Sequence, residues 1–175
     1  METYLQSVIK RFAYYKTLAE RTFDQLNDEQ LFWQYNDESN SIAIIVQHIA
    51  GNMLSRWTDF LTSDGEKDWR ARDTEFEPVV KDRAELLAKW NQGWACMFAS
   101  LNALGDDDLQ KEILIRGEKL TAVDAINRQL AHYPYHIGQI VFIGKMAAGA
   151  KWGSLSIPKG QSETYNAAKF GKPGN

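Results

Sequence analysis

The chain has 175 residues, 44% of them hydrophobic and 25% charged, with a formal net charge of −3. That balance suits one soluble domain, read over 1–175, with chain enough for a core of its own. It lacks the basic patch of a nucleic-acid binder, and its longest apolar runs, such as IAIIV at 42–46, are far too short to span a bilayer. METYLQSVIK has no basic-then-apolar start of the kind that marks a signal peptide. Cys96 is the single cysteine, so no internal disulfide can form, and a cytoplasmic protein is expected.

Four segments show helical spacing of apolar residues. The first, over 3–26, carries Leu5, Val8, Phe12, Tyr15, Ala19 and Leu26. DEQLFWQY at 28–35 adds a helical turn. The second helix is predicted over 41–62, with Ile42, Ile45, Ile49, Met53, Trp57 and Phe60 on one face and Ser39, Asn40 or Ser41 as N-cap. A long link at 63–79 leads to a third helix over 80–104, bearing Leu87, Trp90, Trp94, Met97, Leu101 and Leu104 and closed by Gly105. EILIRGEKL, in the 106–120 link, alternates around Arg116-Gly117 and reads as a small hairpin or extended excursion. The fourth helix is predicted over 121–148, with Val123, Ile126, Leu130, Tyr133, Ile137, Ile140 and Gly144 on its stripe. Thr121 with Asp124 resembles a capping box at its start, and Gly149 suits its C-cap. The tail over 150–175 ends the helical pattern: Trp152, Leu155 and Ile157 pack it back onto the bundle, and GKPGN frays. The fold expected is an all-α four-helix bundle with a long crossover loop.

Only three histidines occur: His48, His132 and His136. The last two stand four residues apart, about 40° around a helix axis, on one face. His48 lies midway along the second helix. The pair sits roughly 110° from the centre of its apolar stripe and His48 roughly 125° from its own. All three therefore occupy shoulders, and facing shoulders make a groove open to solvent. A lone helical histidine is usually an ordinary hydrogen-bonded residue; three on compatible shoulders suit an open divalent-metal site, where a structural metal would take four protein ligands. Pro134 lies between the paired histidines. It costs about 3 kcal/mol or more inside an ordinary helix, so either the helix begins there or it continues with a kink or π-type bulge that aims the histidines. The unbroken apolar spacing favours the continuous, kinked helix.

Other polar residues are candidates for touching substrate or a ligand. Asn52 lies one turn beyond His48, Arg128 lies one turn before His132 and suits an anionic thiol, and Gln139 can orient a histidine through its second ring nitrogen. RARDTEFE at 70–77 reads as a loop at the site mouth or a knot of ion pairs. Nothing in the sequence singles out one carboxylate as a general base. Cys96 reads as a packing residue, so any thiol chemistry needs a thiol from outside.

A histidine in the second helix followed by H-x-x-x-H-x-G-Q late in the fourth resembles the DinB-like superfamily of metal-binding four-helix bundles. The residues are His48, then His132, His136, Gly138 and Gln139; Ile137 stands where many members have arginine. SRWTDFLTSDGEKDWRARDTEFE (55–77) and LSIPKGQSETYN (155–166) are similar to a bacterial branch of unknown function, and the likeness covers nearly the whole chain. The resemblance implies a zinc or nickel ion on three histidines and a homodimer. It also implies an activity like that of bacillithiol transferases or mycothiol-dependent maleylpyruvate isomerase, which use a metal with a low-molecular-weight thiol. The leading expectation is a metal-dependent transferase joining such a thiol to an electrophilic small molecule. The alternatives are a metal-dependent hydrolase and a non-catalytic metal-binding bundle.

Overall fold

The computed structural model describes residues 2–171. Helices α1 (Tyr4–Phe23), α2 (Asp28–Phe32), α3 (Ile42–Trp57) and α4 (Arg83–Ala103) are followed by strands β1 (Glu112–Ile115) and β2 (Glu118–Thr121). Helices α5 (Ala122–Ala148) and α6 (Ser162–Phe170) complete the chain. The four long helices form the bundle, with α3 packed mainly on α4, α1 on α5, and α3 against α5. Small residues set the closest approaches. A Cβ on Gly93 of α4 would come within 3.0 Å of the Ala50 backbone of α3, and one on Gly144 of α5 would overlap Thr22 of α1. No helix among the described residues is long and apolar enough to cross a membrane.

The caps explain where the helices start. Ser41 Oγ accepts from Ile44 N, and Thr121 Oγ1 accepts from Asp124 N, the forward half of the expected capping box. Two helix ends differ from expectation. The second predicted helix stops at Trp57 rather than running to 62: Thr58 turns extended, Asp59 takes φ 51°, and the Thr62 and Ser63 amides close on the Asp59 carbonyl. This releases the chain into the crossover loop. Gly105 is not a C-cap in left-handed conformation. It has φ −101° and opens a short 3-10 turn, Asp106–Asp108, after Leu104 has closed α4 in extended geometry.

The excursion before the last bundle helix is a hairpin. Ile115 pairs with Glu118 around a two-residue turn in which Arg116 (φ 57°) and Gly117 (φ 71°) are both left-handed, as the right-handed twist of a tight hairpin demands. Asp64, in the crossover loop, accepts from the Arg116 and Gly117 amides at 2.8 and 2.7 Å, and Gly65 N donates to the Leu114 carbonyl. The loop and the hairpin thus hold each other.

Helix α5 is continuous through Pro134, with no 3-10 or π segment within it. The reading in which a helix begins at the proline fails, and so does the π-type bulge. The tail differs from its prediction as well. Trp152 packs on the core, Gly153 N donates to Gln25 Oε1, and Arg21 donates to the Leu155 carbonyl. Ile157 is exposed, and 162–170 forms the helix α6 with no buried residue. Its polar, short segment gives no apolar stripe from which to predict it. The end 172–175, expected to fray, lies outside the described residues.

The centre of the bundle holds Phe12, Trp94 and Tyr133, with ring centroids 5.9 Å (Phe12–Tyr133) and 6.1 Å (Trp94–Tyr133) apart. The buried Tyr133 hydroxyl donates to Asn52 Oδ1 and accepts from Trp57 Nε1, both at 3.0 Å. Tyr133→Phe strands both partners in the core. It is expected to lower stability by about 1–3 kcal/mol in urea denaturation, with the helical content unchanged.

Candidate metal centre

Helix α3 presents His48 and α5 presents His132 and His136, the latter two brought together by their one-turn spacing. Their rings lie 4.7 Å apart, and the His48 ring lies 5.5 and 4.9 Å from them. The His132 Nε2 atom is 3.4 Å from that of His48 and 3.0 Å from that of His136. One ligand atom from each residue lies within 4.8 Å of the others, as a single ion requires. Two imidazoles on one tetrahedral zinc, each at about 2.0–2.1 Å, have nitrogens about 3.3 Å apart. The observed spacing fits that donor set.

The outward ring nitrogens decide which atoms face inward. His48 Nδ1 is 3.0 Å from Glu75 Oε2, His132 Nδ1 is 3.3 Å from Gln129 Oε1, and His136 Nδ1 is 2.8 Å from Gln139 Oε1. Each oxygen accepts a hydrogen bond from Nδ1–H, which leaves the Nε2 lone pairs converging on one point. Three lone pairs at such distances repel one another unless a cation or proton lies between them. Burial lowers the His132 ring to about 3, and His136, His48, Arg56 and Arg70 press the same way. Burial also lowers His136, against the bond from Gln139 that raises it. The His132 ring is therefore neutral, the form that binds a metal, at pH 7, and His136 is shifted in the same direction.

Glu75 belongs to the run 70–77, from which the sequence singled out no one carboxylate. It lies in the 3-10 turn Asp73–Phe76 of the crossover loop, brought against α3 by Gln47, whose amide donates to the Thr74 and Glu77 carbonyls. Arg70 grips its carboxylate with two bonds, Nε to Oε1 at 2.7 Å and Nη2 to Oε2 at 2.8 Å. Burial pushes the Glu75 carboxyl up, but the bonds from Arg70 and His48 outweigh it and hold the group ionised, below its ordinary range. The loop can come this close because Gly51 has no side chain; a Cβ there would sit 2.5 Å from Glu75 Oε1. A glycine inside a helix one turn after His48 was the only available signal. Next to Glu75, Phe76 stacks on the His48 ring with centroids 4.8 Å apart, and Tyr135 stands edge-on to His136. The run 70–77 is thus both a wall of the site and a knot of ion pairs.

The remaining candidates make no hydrogen bond to the three rings. Asn52 is 5% exposed, and its hydrogen bond goes to Tyr133, not to a histidine. Arg128 has a side chain 48% exposed and pairs with Glu118 of β2 at 3.7 Å. Cys96 is half-buried against the core, its Sγ 3.6 Å from Thr58 Oγ1.

A family model described as "Protein of unknown function (DUF1572)" matches residues 1–161. The chain belongs to the DUF1572 family. The match takes in the bundle, the crossover loop and all three histidines, and stops where α6 begins. No curated protein and no solved structure matches this DUF1572 chain.

Gly51→Ala is expected to displace the Glu75 carboxylate and lower metal affinity by about 10- to 100-fold, read by competition with a chromophoric chelator. Glu75→Gln should do the same, and unchanged affinity in both would remove Glu75 from the site's support. The metal-free protein should lose stability as acidity rises. An unfolded histidine binds a proton near its ordinary 6.5, whereas folded His132 resists until about 3. The unfolded state therefore takes up the extra proton in that window, and melting temperature should fall as pH drops through it. His132→Gln should flatten that slope.

Proposed function

We propose that this protein is a divalent-metal-dependent enzyme of DinB-like type, with zinc or nickel held by the Nε2 atoms of His48, His132 and His136. The reaction proposed is transfer of a low-molecular-weight thiol to an electrophilic small molecule. The observation that carries the reading is the convergence of three inward lone pairs, each oriented by an outward oxygen. A bound divalent ion supplies Lewis acidity and makes a thiol or water nucleophilic at neutral pH. Three protein ligands leave room for that exogenous group, unlike the closed four-ligand shell of a structural site.

This chain's own residues do the positioning. Glu75, Gln129 and Gln139 hold the ring tautomers. The Glu75 carboxylate also offsets the charge of an ion across the His48 ring, and Phe76 and Tyr135 shield the rings from water. The half-buried Cys96, packed on the core with its Sγ beside Thr58 Oγ1, supports a thiol supplied from solution. Homodimerisation is proposed on the resemblance alone, and a role for Arg128 at an anionic thiol on its place one turn before His132.

Metal analysis of the purified protein tests the first half. About one equivalent of zinc or nickel per chain is expected for a single three-ligand site, with none retained after His48→Ala, His132→Ala and His136→Ala are combined. Metal equally retained by that variant would defeat the site. The second half is tested by conjugation assays with bacterial thiols and electrophilic acceptors. Turnover should require both metal and thiol; metal-dependent ester or amide cleavage without thiol would assign the hydrolase instead.

A further inference from the structure

A cavity of about 440 Å³ lies beside the histidine cluster, between the segment after α2 and the second half of α5. Gln139, which orients His136, forms part of its wall, so the two sites share a residue. Trp33, Tyr35 and Phe142 also line it, with Met146 and one carboxylate, Glu38. These aromatic rings are not core residues. Tyr35 is 72% and Phe142 65% exposed, and Trp33 meets Tyr35 edge-to-face with centroids 6.4 Å apart. No lysine or arginine lines the cavity.

That combination selects by charge. The face of an aromatic ring carries negative potential and attracts a cation, most strongly at tryptophan. A carboxylate at the same cavity adds to the attraction, and no basic side chain offsets it. An anionic ligand would meet the Glu38 carboxylate and no lysine or arginine to offset it. A purely apolar ligand would gain contact area but nothing from Glu38. We infer that the cavity binds a small organic cation, an amine or quaternary ammonium group, seated among Trp33, Tyr35 and Phe142 with Glu38 as counter-charge. Its volume lies within the range of small-molecule sites. As a statement about substrate this rests on the proposed metal-dependent transferase, with the cation as the acceptor's anchoring group beside the metal. As a statement about binding it rests on the cavity alone.

Choline is a suitable probe, with dimethylbutanol as its uncharged carbon isostere. Calorimetric or NMR titration of the full chain should show saturable choline binding, with the isostere weaker by about fivefold or more. Trp33→Leu and the conservative Glu38→Gln should each weaken choline by a similar factor while leaving the melting temperature and bound metal unchanged. The variant lacking all three histidines should still bind choline, so the cavity is judged separately from the metal centre. No saturable binding, equal affinity for the isostere, or indifference to both cavity substitutions would overturn the inference. So would loss of choline binding only in the histidine variant. So would a wild-type dimer in light scattering that binds no choline and is split into monomers by Phe142→Asp, because the face would then be covered by a second copy.

Discussion

A carboxylate taken almost wholly out of water has to find its counter-charge nearby, and Glu75 finds it in Arg70, whose own side chain is 1% exposed. Breaking one half of such a pair leaves the other as an uncompensated buried charge, a loss of about 3–5 kcal/mol in comparable cases. The two-bond grip therefore fixes the place and ionisation of the carboxylate together. Everything around His48 follows from that placement: the tautomer of the ring, the direction of its free lone pair, and the seat of Phe76 on its face. Arg70 and Glu75 are only five residues apart, so the pair closes a short turn within the loop itself.

Glu66 extends the same logic outward. It takes two bonds from Arg72, each 2.7 Å, and lies within 3.5 to 3.8 Å of Arg56, Arg70 and Arg116. Four guanidiniums around one carboxylate would repel one another if Glu75 did not claim Arg70. The crossover loop, the end of α3 and the hairpin turn meet at this cluster, and Asp64 adds its bonds to the Arg116 and Gly117 amides. A loop of this length would ordinarily be mobile. Here charge pairing and backbone hydrogen bonds hold it against α3, which gives the histidine site a rigid outer wall.

The site carries a cost within the fold. Three imidazoles presenting lone pairs to one another, half removed from water, gain nothing from each other. Their arrangement is paid for by the core beneath them, where Phe12, Trp94 and Tyr133 pack and the Asn52–Tyr133–Trp57 chain satisfies its polar atoms. Preorganised polar sites commonly oppose stability in this way, because atoms placed to meet a ligand are unsatisfied before it arrives. The proline fits this picture. Pro134 has no N–H to donate to the Leu130 carbonyl, yet α5 continues through it, supported on both sides by buried Tyr133 and Ile137.

Much of the bundle was legible in the residue pattern because helix periodicity and capping are local. Ile42 through Trp57, Val123 through Gly144, the caps at Ser41 and Thr121, and the Arg116-Gly117 turn each follow from neighbours a few positions away. The one-turn spacing of His132 and His136, and the compatible shoulder of His48, were likewise visible in helical phase. Phase also suggested Asn52 as a contact of the site, but a hydrogen bond to Tyr133 on another helix draws it inward. Glu75 and Arg70 escaped because their partners are chosen by the path of a loop, which has no period, whereas Gln129 and Gln139 each lie three residues from the histidine they hold, a helical spacing. By itself the sequence determined four amphipathic helices and three histidines able to meet. Only the tertiary structure decided which carboxylate lies beside those rings and which guanidinium holds it, because that choice depends on which groups, distant in the chain or free in a loop, can neutralise one another once water has left.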